Sequence, residues 1–239
     1  MNRQAKAVLW KDWQEARRQT SLKFGLCLTV VLWLFNIALA SKGIVGFLGR
    51  DALVMLIDSV ASHQMITLYS IVIFMMIQTV YSKEIHAGSL EALLATPVTV
   101  WDVWLGKSLC MFLGGSITSV LVASGIFVEL NVMYASKYGI VLPSGPSVLF
   151  FFSVGPLISF ALCGTIGLLH LNSKYYAVGS MVYMFLGMGY LFIVSRNINK
   201  VGITFKALSI YGIVAIALIA IMLFIAKGLT KEKVLLCRK

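Results

Sequence analysis

The sequence predicts an all-α integral membrane protein with six transmembrane helices, and three observations carry that expectation. Of its 239 residues 59% are hydrophobic and 12% charged, with a mean hydropathy of +0.91, whereas soluble domains are about 45–50% apolar and about 25% charged. Apolar runs of about 20 residues, enough to cross a hydrocarbon core as a helix, recur at 24–40, 64–81, 109–128, 148–169, 175–194 and 207–226, and none contains Asp, Glu, Lys or Arg. The runs are continuous rather than alternating over about 10 residues, so their backbone polar groups must be satisfied within helices and not in a closed barrel.

Residues 1–22 precede the first run. Helical spacing puts Ala5, Leu9, Trp13, Ala16 and Thr20 on one face, while Lys6, Lys11, Glu15, Arg17 and Arg18 mostly project elsewhere and Asp12 intrudes near the apolar arc. That pattern predicts a basic amphipathic helix lying among the lipid headgroups, with Leu9 and Trp13 on its apolar side and Arg17 and Arg18 on its polar side. In the first run, Ala38-Leu39-Ala40 also resembles a signal-peptide cleavage site, although the polar leader and the apolar stretch are both long for one; cleavage there would leave five spans. Residues 41–63 read as an external loop with room for a small interfacial helix. Residues 130–147, with Pro143, Gly145 and Pro146, read as an external turn, and 196–206 as the link between the last two spans. No separate soluble catalytic domain fits, so the chain is one transmembrane domain, 1–239.

Sorting the basic residues by loop orients the spans. With the N-terminus in the cytoplasm, Arg3, Lys6, Lys11, Arg17, Arg18, Lys23, Lys83, Lys107, Lys174, Lys227, Lys231, Lys233, Arg238 and Lys239 lie inside, which is 14 of the 20, and Lys42, Arg50, Lys137, Arg196, Lys200 and Lys206 lie outside. The positive-inside bias therefore places both termini in the cytoplasm, in a multi-pass protein of the cytoplasmic membrane. Topology and headgroup contact account for most of the +11 net charge. No basic run interleaved with aromatics points to nucleic acid.

Cys27, Cys110 and Cys163 fall in spans and Cys237 in the tail, without CxxC spacing, so neither a disulfide framework nor a zinc or haem site is indicated. His63, His86 and His170 are far apart in sequence and read as structural or interfacial. Ion-coupled transporters and voltage sensors carry ionisable groups inside the bundle; here the nearest are Asn36, Gln78, Glu129 and His170, all close to span ends. Any transport is thus expected to draw its energy from elsewhere. No HExxH, GxSxG or facing carboxylate pair suggests an intramembrane enzyme. Gly106-Lys107-Ser108 imitates the end of a phosphate-binding loop, but Trp101 stands where that loop needs glycine. Lys107 reads instead as a cytoplasmic anchor at the start of the third span.

The loop between the second and third spans is different in kind. Gly88 and Ser89 mark a helix start, with Ser89 as N-cap and Glu91 in the first turn; Leu90 to Ala95 are strong helix formers, and Thr96-Pro97 ends them. Thr99 followed by Asp102 has the spacing of a capping box that opens a second helix running into span three. The first helix, about 89–96, carries Leu90, Leu93 and Leu94 on one side. So short a helix is unstable alone, and its leucines require cover: the lipid surface, the bundle's own cytoplasmic end, or a partner's groove.

The order Glu84-x-x-x-Gly88-Ser89-Leu90-Glu91-x-Leu93-Leu94-x-Thr96-Pro97, followed by Gly106-Lys107, resembles the cytoplasmic signature of ABC-2 type exporter permeases. The resemblance implies a coupling helix that docks on a separate ATPase subunit through Leu90, Glu91, Leu93 and Leu94, with Glu84 at the end of span two paired to a basic group that the sequence does not identify. It implies that the N-terminal helix is a connecting helix making a second ATPase contact, and that ATP and Mg are bound by the partner, this chain holding no cofactor or metal and being no enzyme. A second permease copy, or a similar permease, would complete a pathway, with a prokaryotic cytoplasmic membrane as its setting. Spans two and five often face that pathway, which nominates Tyr69, Met75, Met76 and Met184. Uncharged span cores favour a hydrophobic or amphipathic cargo. Two other classes stay open: a non-transporting scaffold or force-transmitting subunit, and an ATP-independent channel. Gly155, Ser159, Cys163 and Gly167, four residues apart along span four, form a ridge suited to close helix packing, and Gly114, Gly115, Gly179, Gly187 and Gly189 read the same way.

Overall fold

The computed structural model describes residues 2–172 and 204–236. Among them every regular element is helical and no strand occurs. In chain order these are α1 (Arg3–Arg18), α2 (Thr20–Leu48), α3 (Arg50–Ser59), α4 (Met65–Ile77), α5 (Lys83–His86), α6 (Ser89–Ala95), α7 (Val100–Tyr138), α8 (Gly145–Leu149), α9 (Gly155–Asn172), α10 (Phe205–Lys227) and α11 (Lys231–Leu236). Three π-helical stretches, Val60–Gln64, Gln78–Ser82 and Phe150–Val154, join α3 to α4, α4 to α5, and α8 to α9.

Five helical runs among the described residues are long and apolar enough to cross a membrane: Thr20–Gly46, Arg50–Ile85, Val100–Tyr138, Gly145–Asn172 and Phe205–Lys227. The expected span at 175–194, with Met184, Gly179, Gly187 and Gly189, lies outside the described residues, as does Cys237.

Span boundaries differ from the charge-free runs where a polar side chain finds a partner, and the start of α7 lies where the Thr99–Asp102 capping box predicts it. Residues 41–63 are not a loop. α2 continues past Ser41, whose hydroxyl donates to Ala38 O (2.9 Å) and accepts from Tyr134 (3.2 Å), and ends at Gly49, whose φ of 74° suits glycine. The chain then re-enters helix at Arg50 and runs through the buried Asp58, whose carboxylate accepts from Ser144 N at 2.7 Å. α7 likewise extends beyond 109–128 at both ends. Its N-terminus is capped by Thr99, whose hydroxyl accepts from Asp102 N (3.1 Å) and donates to the Asp102 carboxylate (2.6 Å). At its far end Asn131 accepts from Val141 N at 2.7 Å, folding the following segment back.

Small residues set the packing. A Cβ on Gly115 would lie 2.8 Å from the Tyr69 ring, and one on Gly167 would lie 2.6 Å from the Tyr81 hydroxyl. Gly114 receives Met76, and Gly164 receives Met222 and Trp104, with Trp104 Nε1 donating to Gly164 O at 2.9 Å. The ridge of Gly155, Ser159, Cys163 and Gly167 is buried. Tyr69 and Met76, nominated for a pathway, fill these glycine notches and are buried. Met75 turns toward α2, against Thr29 and Gly25. Close helix approach in a membrane depends on such small-residue notches.

α9 and α10 run parallel. Phe150, just before α9, meets Tyr211 near the start of α10 (ring centroids 5.5 Å apart), Gly164 meets Met222 midway, and Leu171 shares a core cluster with Ala226 and Val234 at the end. That cluster also holds Leu90 and Leu94, so α6, α11 and the C-termini of α9 and α10 occupy one end of the bundle.

Candidate functional site

At the α6 end, four charged side chains converge. Lys107, about two turns into α7, is fully buried. Its ammonium donates to Asp12 Oδ2 at 3.2 Å and to the Val80 carbonyl at 2.7 Å, and it forms an ion pair with Glu84 Oε2 at 2.7 Å. The Tyr81 ring lies 5.3 Å from the same nitrogen. Val80 sits in the π-helical stretch Gln78–Ser82, where the slipped backbone register frees a carbonyl for an outside donor. Glu84 also accepts from Lys11 at 2.5 Å. Two cations thus balance two anions across α1, the second span and α7.

Burial pushes the Asp12 carboxyl up to about 6, against the opposing pull of Lys107. Burial also acts to lower the Lys11 ammonium, but the hydrogen bond and charge of Glu84 outweigh it and hold that group above the ordinary lysine value. Lys107, expected as a cytoplasmic anchor at the start of the third span, is instead the centre of a buried ion cluster and supplies, with Lys11, the basic partners of Glu84.

α1 reaches the cluster by packing on α7. Its buried residues are Ala5, Val8, Asp12 and Ala16, so the inward face is turned from the predicted one: Leu9 and Trp13 are half-buried flanks, and Asp12, which seemed out of place, faces Lys107. Arg17 and Arg18 are exposed, in the last turn, where cations complement the helix dipole. The two helices touch at Gly106, where an added Cβ would lie 2.8 Å from Ala5 O and 2.9 Å from Val8 Cβ.

Four residues after Glu84, Gly88 turns the chain with a φ of 67°, a left-handed conformation that favours glycine. Gly88 is the N-terminal flank of α6, and Ser89 is its first residue rather than its cap; the Ser89 hydroxyl donates back to Glu84 O at 3.4 Å. Of the expected docking residues Leu90, Glu91, Leu93 and Leu94, Leu90 and Leu94 are buried in the chain's own core. Leu93 is half-buried, and Glu91, Ala92, Ala95, Thr96 and Pro97 are exposed.

The far end of α6 is held by a residue the sequence did not single out. Lys231, at the start of α11, donates to Leu94 O (3.0 Å) and Thr96 O (2.8 Å), capping carbonyls a helix C-terminus leaves without partners. No local pattern announces a contact 137 residues away in sequence. Lys231→Met is expected to weaken α6 by about 1–2 kcal/mol, seen as faster amide exchange over 89–96 with the exchange of α4 and α7 unchanged; equal exchange in both proteins would mean the cap carries no weight.

His170 is buried, with Nδ1 3.0 Å from Ile166 O and its ring 5.4 Å from that of Tyr81. Cys110 and Cys163 are buried and Cys27 is exposed. Among the described residues no group of three or more His, Cys, Asp and Glu is placed to hold a metal. Comparison with family models, curated proteins and solved structures gives no match for the chain.

Proposed function

We propose that this chain is the membrane subunit of an ATP-driven exporter of the ABC-2 type, in which a separate ATPase docks on α6 and its hydrolysis cycle moves the spans. The observation that carries the reading is the mounting of α6. A helix of seven residues, too short to be stable alone, is fixed at its start by the Gly88 turn beside the ion cluster and at its end by Lys231, and it presents Glu91 and the edge of Leu93 outward. A force applied there passes through Glu84 and its ion cluster to α1, the second span and α7, and through Lys231 to α11.

Orientation and span number follow within the same reading. The α6 end is cytoplasmic, where α1 exposes Lys6, Trp10, Arg17 and Arg18 to headgroups that favour basic and tryptophan side chains. The parallel course of α9 and α10 supports six spans, because a chain that has reached one side must return before crossing again in the same direction. One chain forms half of a pathway, completed by a second copy or a similar permease.

The test is co-purification of the full-length protein with a Walker-motif ATPase from its own cells. Leu93→Asp and Glu91→Lys are expected to lower ATPase recovery at least about tenfold, a loss of 1.4 kcal/mol or more, with thermal stability unchanged in Glu91→Lys, whose side chain is exposed. Recovery of no ATPase by the wild type, or full recovery by both variants, would overturn the docking claim. Flux persisting without any ATPase would point to a channel.

A further inference from the structure

At the end of the bundle remote from α6, the second span, α7 and the start of the fourth span enclose a cavity of about 300 Å³. We propose that this cavity binds one acyl chain of a membrane phospholipid. The assignment rests on the helices being in a membrane and is independent of coupling to an ATPase.

The lining is chemically uniform. It includes Val60, Ala61, Phe127 and Phe151; no charged side chain contributes, and Ser124 is its one polar residue. A charged or strongly polar ligand would lose its hydration there without compensating partners. The cavity also opens sideways. Phe152 and Val128 at its edge are 75% and 57% exposed, on the flank of two membrane-crossing helices, so the medium at its mouth is hydrocarbon.

Two of the three π-helical stretches meet at this place. Val60 and Ala61 belong to Val60–Gln64, and Phe151 and Phe152 to Phe150–Val154. A π-bulge adds a residue to a turn and re-aims the side chains around it, and such bulges are frequent at functional sites. Here both stretches contribute to the cavity wall. The carboxylate of Asp58 holds Ser144 N, fixing the segment that brings Pro143 to the cavity wall.

The size and dryness of the space select the occupant. An apolar cavity of about 150 Å³ stays free of water and accepts a benzene-sized molecule; this one is twice as large and open at one side. Left empty, its walls forgo dispersion contacts outright. A flexible hydrocarbon chain entering from the adjacent leaflet restores them, its headgroup remaining at the membrane surface.

Nanodiscs of phosphatidylcholine carrying a photoactivatable diazirine in one acyl chain provide the test on the full-length protein. Cross-links to Phe127 and Phe151 are expected to exceed those to the exposed Phe35 on α2 and Phe224 on α10 by about tenfold, the ratio a 1.4 kcal/mol preference produces. Ala61→Phe and Ser124→Phe, which fill the space, should each abolish the excess and leave labelling of Phe35 and Phe224 as in the wild type. If one variant fails to fold, visible as new labelling of buried Ile73, the other decides. Labelling no stronger at the cavity than on the exposed faces, or an excess that survives filling, would overturn the proposal.

Discussion

Replacing Lys107 by methionine is expected to destabilise the protein by about 3–5 kcal/mol, the usual result of stranding buried charges by removing their partner. The side chain is fully buried and Glu84 and Asp12 are nearly so, so water cannot take over the lost contacts. The triple variant Lys107→Met, Glu84→Gln, Asp12→Asn should recover most of that loss, because desolvating ions costs several kcal/mol each and a neutral cluster avoids it. Lys11→Met should change little by comparison, since Lys11 is 43% exposed and exposed pairs contribute about 0–1 kcal/mol.

A pH series separates this account from simple cavity formation. The folded-state pKa of Asp12 is raised, from 3.8 to about 6. A raised carboxyl pKa adds stability that is fully present below 3.8 and lost as pH rises through about 6. Loss of Lys107 removes an influence that lowers that pKa, so the deficit of Lys107→Met should be smaller at pH 5 than at pH 8, measured by thermal unfolding in detergent. A deficit that is the same at both values, or smaller than about 1 kcal/mol at pH 8, would mean the cluster is not charged in the way described.

The membrane character of the chain and its helical class were legible from uninterrupted apolar runs, and α10 nearly coincides with the 207–226 run. Where the outline was misread, the reason was long-range satisfaction of polar groups. Charge-free length ended the second span at residue 64, whereas the helix continues back to Arg50 because Asp58 is held by Ser144, 86 residues on. Lys107 looked like an anchor because a lysine beside an apolar run normally reaches for headgroups; its actual partner Asp12 is 95 residues away. The one local hint was Asp12 itself, a carboxylate interrupting an apolar arc. The loop 82–107 was legible as punctuation, from Gly88 through Thr99–Asp102, but which leucines face inward depends on α9, α10 and α11 packing behind them. Lys231 left no trace in sequence at all.

Gly106→Leu should separate α1 from the bundle. An added Cβ would stand 2.8 Å from Ala5 O and 2.9 Å from Val8 Cβ. The first is a backbone atom inside a regular helix and cannot rotate away, so α1 must move as a unit. Overpacking of this kind costs about 1–3 kcal/mol by itself, but Asp12 leaves with α1, and Lys107 then loses one of its two carboxylates. The expected outcome is faster tryptic cleavage at the exposed Arg17 and Arg18, by about tenfold or more for a loss above 1.4 kcal/mol, together with a lower unfolding temperature. Gly43→Leu on α2 is the control, because nothing lies within 4 Å of a Cβ there. The two effects on Lys107 are coupled through Asp12, so Gly106→Leu combined with Asp12→Asn should destabilise by less than the sum of the two substitutions, as residues sharing one network do. Strict additivity, or cleavage of Gly106→Leu at the rate of Gly43→Leu, would show that α1 is not held through Gly106 and Asp12, and that the ion cluster closes on Glu84 alone.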